Sequence, residues 1–307
     1  MKHIIGINDE DLQPFYMDWE NKASHLLVGG TYQSGRTSLL RTIVLGLSHK
    51  YSPDELHIVL FDASGRSLTD LEDLPHVIAR VDGEDAFAEN IAHLQHELEL
   101  RRKGKKKNNP EILFVFDDYD LATDAMGLNE RILLELGKNI RQDSNLGFHF
   151  LISLLASHRL HVDSLINQLK LLRVGVSLGN TETLEALGAH ITASMRKEQL
   201  PRGRGYFFAR SGMTLVQFAN PDKSFKSKKA KDTVISKWNK YKKAEWINPA
   251  NEDRIQQVKS DSAPDIRAIQ QRNISTPKDP SSKTFIDMEE SVRRYVEQQQ
   301  KIKNGEA

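Results

Sequence analysis

Leu26-Leu27-Val28-Gly29-Gly30-Thr31-Tyr32-Gln33-Ser34-Gly35-Arg36-Thr37-Ser38-Leu39-Leu40 is the stretch on which the fold of this chain turns. The apolar run from His25 to Val28 is of the kind buried in a parallel sheet, and Ser38 to Leu45 carries apolar residues at helical spacing. Between them lies the phosphate-loop spacing GxxxxGKS/T, complete except that Arg36 stands where the pattern has lysine. Gly30 and Gly35 predict a tight loop with positive φ, so that successive backbone N–H groups point inward at a polyphosphate. The following helix adds its positive N-terminal end. The expected nucleotide-binding residues are therefore Gly30, Thr31, Tyr32, Gln33, Ser34, Gly35, Arg36, Thr37 and Ser38, with the Thr37 hydroxyl offered to a magnesium ion.

Working outward, the chain alternates short apolar runs with longer amphipathic stretches, the pattern of a parallel sheet wrapped by helices. The runs are His25 to Val28, Leu56 to Phe61, Ile112 to Phe116, Phe148 to Leu155 and Val174 to Leu178. Ile4 to Ile7 and Phe15 to Trp19 read as a flanking hairpin. Gly205 to Ala209 and Leu215 to Ala219, joined through Arg210 to Thr214, read as a closing one. The expected fold is α/β: a mainly parallel sheet flanked by helices, with terminal hairpins and a helical or disordered tail. The expected domains are a nucleotide-binding domain over 1–222, a lysine-rich helical extension over 223–247, a polar linker over 248–282 and an amphipathic helix over 283–307. Within the extension, Val234, Trp238 and Tyr241 fall at helical spacing; in the last segment Phe285, Met288, Val292, Tyr295 and Val296 mark one face.

Composition narrows the chemistry. Lysine plus arginine (43) nearly balance aspartate plus glutamate (42), so bulk charge favours no polyanionic partner. Cysteine is absent, which excludes disulfides, thiolate zinc sites and cysteine nucleophiles. No stretch has the pattern of a signal peptide or a membrane span, and the chain is expected to be cytosolic, reaching a membrane only as part of a longer protein.

A phosphate loop needs an acidic strand end beside it. Ile112-Leu113-Phe114-Val115-Phe116-Asp117-Asp118 supplies one, placing its acids at the carboxyl edge where open α/β sheets bind ligands. Asp117 would hold magnesium through water, and Asp118 takes the position of the residue that polarises the attacking water. Motors commonly carry glutamate there, and aspartate is one methylene shorter. After Phe148 to Leu155, Ala156-Ser157-His158-Arg159 puts polar side chains at the next strand edge, where Ser157 and His158 could act as a γ-phosphate sensor or form an exposed loop.

These pieces together resemble the FtsK/SpoIIIE ATPase family. The resemblance rests on Leu27 to Arg41, the Asp62 strand end, Leu74-Pro75-His76-Val77, Asp117-Asp118, Ala156 to Arg159, Pro201 to Tyr206 and Leu215-Val216-Gln217. The late Gly-Arg-Gly-Tyr and Val-Gln pieces favour the terminal modules of type VII secretion ATPases over the DNA translocases. The resemblance covers roughly residues 1 to 220. It implies a RecA-like fold, ATP and Mg2+ as ligands, and neighbouring ATPase modules of the same chain or ring as partners. It also implies small helical-hairpin, WXG-type export substrates, and distal modules that are often degenerate and serve regulation or substrate docking. By position, Ala156 to Arg159 corresponds to the family's Ala-Thr-Gln-Arg sensor, with His158 replacing glutamine.

Three functions follow as expectations. In a degenerate module, Arg36 weakens or abolishes hydrolysis, with either some residual Mg·ATP affinity from the backbone cradle or an empty site, because a guanidinium is broader and less strongly hydrated than the lysine ammonium. The others are an active motor of the same system and a DNA translocase gripping phosphates with the lysines of 226–243. Against DNA, Trp238 and Tyr241 read as docking that stretch onto the core. His93 and His96 lack a third metal ligand at suitable spacing, and Arg202 and Arg204 read as trans-acting fingers or as salt bridges.

Overall fold

The computed structural model describes residues 1–19, 25–104, 109–125, 130–142, 146–156, 163–192, 195, 198–220 and 227–246. The strands are β1 (Lys2–Asn8), β2 (Pro14–Asp18), β3 (Leu26–Gly30), β4 (Leu56–Asp62), β5 (Val77–Val81), β6 (Glu111–Asp117), β7 (Phe148–Leu155), β8 (Gly175–Leu178), β9 (Arg204–Ala209) and β10 (Gly212–Phe218). They join in one sheet in the order β2-β1-β10-β9-β8-β3-β7-β6-β4-β5. The run from β8 to β5 is parallel throughout. From β8 through β9, β10 and β1 to β2 each pairing is antiparallel.

The helices are α1 (Arg36–Lys50), α2 (Glu84–Arg102), α3 (Tyr119–Ala125), α4 (Glu130–Gln142), α5 (Ser164–Leu171), α6 (Glu182–Ala186) and α7 (Ser227–Lys237). Side chains alternate across a strand, so each parallel strand feeds two cores. Leu26, Val28, Ile58, Leu60, Leu113, Val115 and Leu151 join α1 and Val234 of α7 on one face. Leu27, Val59, Phe61, Phe114, Phe116, Phe150 and Ile152 join α2 through α6 on the other. That second face is aromatic-rich, with Phe61 stacked on Phe116 at a 4.0 Å centroid distance. Burial on both faces is why these strands read as continuous apolar runs.

Two elements depart from the sequence reading. β5 has no clear signature because it is an edge strand whose middle, Ile78 to Arg80, is only partly buried. Arg80 there is held by Glu72 and Asp82 at 2.9 and 3.0 Å. The closing hairpin is tighter than expected, with only Arg210 and Ser211 between β9 and β10 and Gly212 at φ 138°.

Past the sheet, α7 and the residues after it strap across the domain. Helix α7 ends at Lys237, so Trp238 and Tyr241 sit in turns beyond it rather than on its face. Trp238 is packed against the core of α1 and donates its indole N–H to Ser48 O at 2.7 Å. Trp246 donates to Asn90 Oδ1 at 2.8 Å and stacks on His93 of α2. Met1–Trp246 is one compact unit. The linker of 248–282 and the amphipathic segment of 283–307, with its Phe285 to Val296 face, lie outside the described residues.

Candidate nucleotide site

β3 lies near the middle of the ten-stranded sheet, second in the parallel run after β8, and β7 separates it from β6. The loop after β3 and the acids after β6 therefore meet at the carboxyl edge, across the end of β7. The loop expectation is corrected in one respect. Positive φ falls at Gln33 (59°) and Gly35 (108°), not at Gly30. Gly30 is required for close approach instead: a Cβ there would lie 2.4 Å from Ser34 Oγ and 3.0 Å from Leu178 O. The Ser34 N–H donates to Thr31 O at 3.2 Å, and the Gly203 N–H donates to Ser34 O at 3.0 Å, tying the loop to the segment before β9. Tyr32, at the loop's apex, is 78% exposed.

Helix α1 starts at Gly35 without a side-chain cap and with no acid in its first turn. Its first N–H groups are thus left to be satisfied by something other than a cap, and a helix N-terminus of this kind suits an anion. Thr37 Oγ1 lies 2.9 and 3.2 Å from the two carboxylate oxygens of Asp117. Donating its one proton to Asp117 leaves the Thr37 oxygen with lone pairs for a cation. Asp117 is buried, and burial pushes its carboxyl pKa up; hydrogen bonds from Ser153, Thr37 and Ser67 and the charge of Arg36 oppose the rise. A carboxylate whose charge is penalised in this way would gain from a magnesium ion beside it. Among the described residues no cluster of three or more His, Asp or Glu side chains could hold a metal by itself. Thr37 and Asp117 would have to share the ion with phosphate oxygens, which is the way magnesium is usually bound.

Arg36 turns to the second acid. Its Nη2 lies 3.9 Å from Asp118 Oδ2, with the side chains 11% and 38% exposed respectively. Nη1 is buried and has no hydrogen-bond partner. A buried guanidinium donor left over beside an uncapped helix start fits a phosphate oxygen. The residues present thus fit a magnesium–nucleoside triphosphate complex, which would bring the phosphoryl group and most of the metal's ligands.

Ser153 is a site residue that belongs to no sequence motif. It stands on β7, donates to Asp117 Oδ1 at 2.9 Å and accepts the Asp118 N–H at 2.8 Å. One hydroxyl thereby fixes both acids, including Asp118 at its positive φ of 57°. Its signal was a fully buried serine inside the apolar run Phe148–Leu155. Behind the acids, Tyr119 donates its hydroxyl to Asp163 Oδ2 at 2.8 Å, and Asp163 Oδ1 caps α5 by accepting the Ile166 N–H at 2.9 Å. Ser157 and His158, the expected sensor, lie outside the described residues; Ala156 donates its N–H to Gly30 O at 2.9 Å. Arg204 is ion-paired with Asp9 within the chain, whereas Arg202 lines a cavity with Gly35 and Ser38.

A glycine-bearing loop opening a helix, with an acidic strand one place removed across a parallel sheet, defines a P-loop nucleotide-binding domain of RecA-like fold. Residues 7–111 match the model of the FtsK/SpoIIIE family. The ESX secretion system protein EccC of Thermomonospora curvata is 28% identical over 231 residues, spanning 70% of this chain and 17% of that protein. The type VII secretion system protein EssC of Staphylococcus aureus (strain MRSA252) is 26% identical over 149 residues, 43% of this chain and 10% of that protein. A solved structure of Thermomonospora curvata EccC (ATPases 2 and 3), in complex with a signal sequence peptide, superposes with a TM-score of 0.59 at 26% identity. It covers 71% of this chain and 40% of that one. The match over 7–111 and these likenesses make the domain similar to the FtsK/SpoIIIE domains of the type VII secretion proteins EccC and EssC. The chain spans less than a fifth of the length of these curated relatives. Among the described residues, no helix is long and apolar enough to cross a membrane.

Proposed function

We propose that this chain is a degenerate ATP-binding module of a type VII secretion ATPase, with weak or absent hydrolysis, serving regulation and the docking of export substrates. The observation that carries the reading is the approach of Arg36 Nη2 to within 3.9 Å of Asp118. The acid in the position of the water-polarising base faces a fixed cation, and the cation faces that acid instead of standing free as a compact ammonium would. Arginine here keeps the charge and loses its placement. Hydrolysis, which depends on charge aimed at the transferring phosphoryl group, suffers more than binding, which the main-chain cradle and the helix start sustain.

On this reading Asp117 and Thr37 hold Mg2+, Gly30 to Ser38 hold the phosphates, and Asp118 is a base of reduced reach. Ser157 and His158 remain the proposed sensor. The nucleotide domain runs over 1–222, followed by the lysine-rich extension of 223–247, the linker and the terminal amphipathic helix. The module works beside neighbouring ATPase modules of the same chain or ring, at the cytoplasmic face of a membrane reached through a longer parent chain. Docking of WXG-type export substrates is supported by the signal sequence peptide bound to the Thermomonospora relative. A DNA translocase is disfavoured because three of the strap's lysines are engaged within the domain. Lys231 pairs with Asp73 at 2.9 Å, Lys237 donates to His49 O, and Lys243 donates to Glu72 O at 3.1 Å.

The test is multiple-turnover phosphate release by the native chain and by Arg36→Lys. The native chain is expected to turn over far below the ~1–100 s⁻¹ of ordinary phosphoryl-transfer enzymes, and Arg36→Lys to raise the rate by on the order of tenfold or more. Native turnover in the ordinary range would refute degeneracy and favour the active motor.

A further inference from the structure

Helix α1 is held at its two ends by different parts of the chain. Its first turn belongs to the phosphate loop, and its last turn is gripped by the strap. The final carbonyls of a helix have no partner inside it. Two of those in α1 are met by consecutive strap residues: Trp238 donates its indole N–H to Ser48 O at 2.7 Å, and Lys237 donates from Nζ to His49 O. Lys237 Nζ also stands 4.7 Å from the centre of the Trp238 ring, which joins the two side chains into one clamp. Midway along the helix, Arg41 donates to Asp70 Oδ2 at 2.7 Å, and the strap reaches the same segment where Lys231 pairs with Asp73 at 2.9 Å.

We infer that Trp238 and Lys237 are positioning residues for the phosphate site, acting through α1, so that strap docking and polyphosphate binding favour each other. The inference rests on the nucleotide-binding reading above. Arg36 is turned toward Asp118, and α1 begins with no side-chain cap, so binding leans on the main-chain N–H groups of the loop and first turn. A main-chain donor points only where its helix points, and a hydrogen bond weakens steeply as it is misaligned. A helix moves as a rigid rod, so a shift allowed at its last turn is carried to its first. Coupling between two binding events is reciprocal, and polyphosphate on the loop tightens the clamp in turn.

The strap supplies its own control. Trp246 donates to Asn90 Oδ1 at 2.8 Å and stacks on His93, so its grip is on α2. Each indole thus makes one hydrogen bond from the strap to a helix, and that of Trp238 goes to the helix that opens from the phosphate loop. Val234, 2% exposed, packs with Ala230, Ile235 and Trp238 into the core on the α1 face. That apolar contact keeps the strap in place when a single hydrogen bond is removed.

The experiment is calorimetric titration of the full chain with magnesium tripolyphosphate, alongside tryptophan fluorescence. Trp238→Phe keeps a ring and loses the N–H, and it is expected to weaken tripolyphosphate binding about fivefold, the low end of the usual range for coupled sites. Lys237→Met should weaken it by about twofold, with Lys237→Arg restoring the native value, since a donor to His49 O is then kept. Trp246→Phe removes an equivalent hydrogen bond on α2 and should leave the affinity unchanged. Tripolyphosphate should alter the emission of the native chain and of Trp246→Phe, and leave that of Trp238→Phe as it was. Equal weakening by the two tryptophan variants would mean that the whole domain had loosened, and it overturns the inference. So does native affinity in both Trp238→Phe and Lys237→Met, because α1 would then be held without the strap; in either case the phosphate loop still stands. If tripolyphosphate does not bind the native chain, the loop reading itself fails and the inference with it.

Discussion

The two ends of β3, β6 and β7 each bury an arginine, and the two arginines are treated in opposite ways. At the amino ends, Arg101 of α2 is almost completely enclosed, its side chain 1% exposed. Its Nε donates to Glu97 at 2.9 Å, Nη1 to the carbonyls of Leu146 and Gly147, and Nη2 to Pro110 O at 2.7 Å. Beside it, His149 Nε2 lies 2.7 Å from Glu111 Oε2, and that hydrogen bond holds the Glu111 carboxyl below its ordinary pKa. At the carboxyl ends, Arg36 has an acid at 3.9 Å and a buried Nη1 with no partner. One arginine completes a network that joins α2 to the chain on either side of β6. The other leaves donor capacity over, which is the expected mark of a place where something else binds.

Arg101→Met should break the comparison most severely. It takes the guanidinium away from Glu97 and from the carbonyls of Pro110, Leu146 and Gly147, and a loss of about 3–5 kcal/mol is expected in urea denaturation. A loss below ~1 kcal/mol would mean that the network is dispensable. As large or larger, once three histidines are summed over about two pH units, is a pH dependence that belongs mainly to elements away from the site. His3 and His25 are lowered from 6.5 to about 3, and His76 to about 4, each chiefly by burial. The unfolded chain takes up protons near pH 6.5 while these folded histidines stay neutral, so stability is full above that pH and falls as the pH drops toward 4. Each histidine adds up to about 1.4 kcal/mol per pH unit to the slope. Denaturation midpoints measured from pH 7 to 4.5 should show it, and His3→Leu should flatten it.

At the carboxyl ends the expected effects are smaller. Ser153→Ala removes one donor from Asp117 and the acceptor of the Asp118 N–H, and about 1–3 kcal/mol of stability should go with it. Restored stability in Ser153→Thr, with its hydroxyl kept, would tie the loss to hydrogen bonding. Arg36→Met should be the mildest, within about 1 kcal/mol of the native chain or slightly stabilising, because it removes an incompletely paired buried charge. Tripolyphosphate affinity should fall in that variant all the same. Large destabilisation by Arg36→Met would make Arg36 a structural residue like Arg101 and end the contrast.

Sequence gave the loop and the acids by local spacing, and the structure brings Gly30 to Thr37 together with Asp117 and Asp118 as those spacings require. It mistook the reason for Gly30. Whether a glycine serves φ or clearance depends on a neighbour, here Ser34 Oγ and Leu178, which local pattern does not reveal. Ser153 was visible as a hydroxyl in an apolar strand, but its importance depends on β7 lying between β3 and β6. β5 escaped because an edge strand need not be apolar throughout, and the role of Trp238 was legible as docking although the helix stops one residue before it.

The chain's order alone determined the alternation of strand and helix, the phosphate loop with its arginine, and the paired acids, because these are written in residues adjacent along the backbone. Only the tertiary structure decided that Arg36 faces Asp118 and that one serine ties both acids. Those relations join residues on different strands and helices. Their geometry is set by sheet order and packing, which no local spacing encodes.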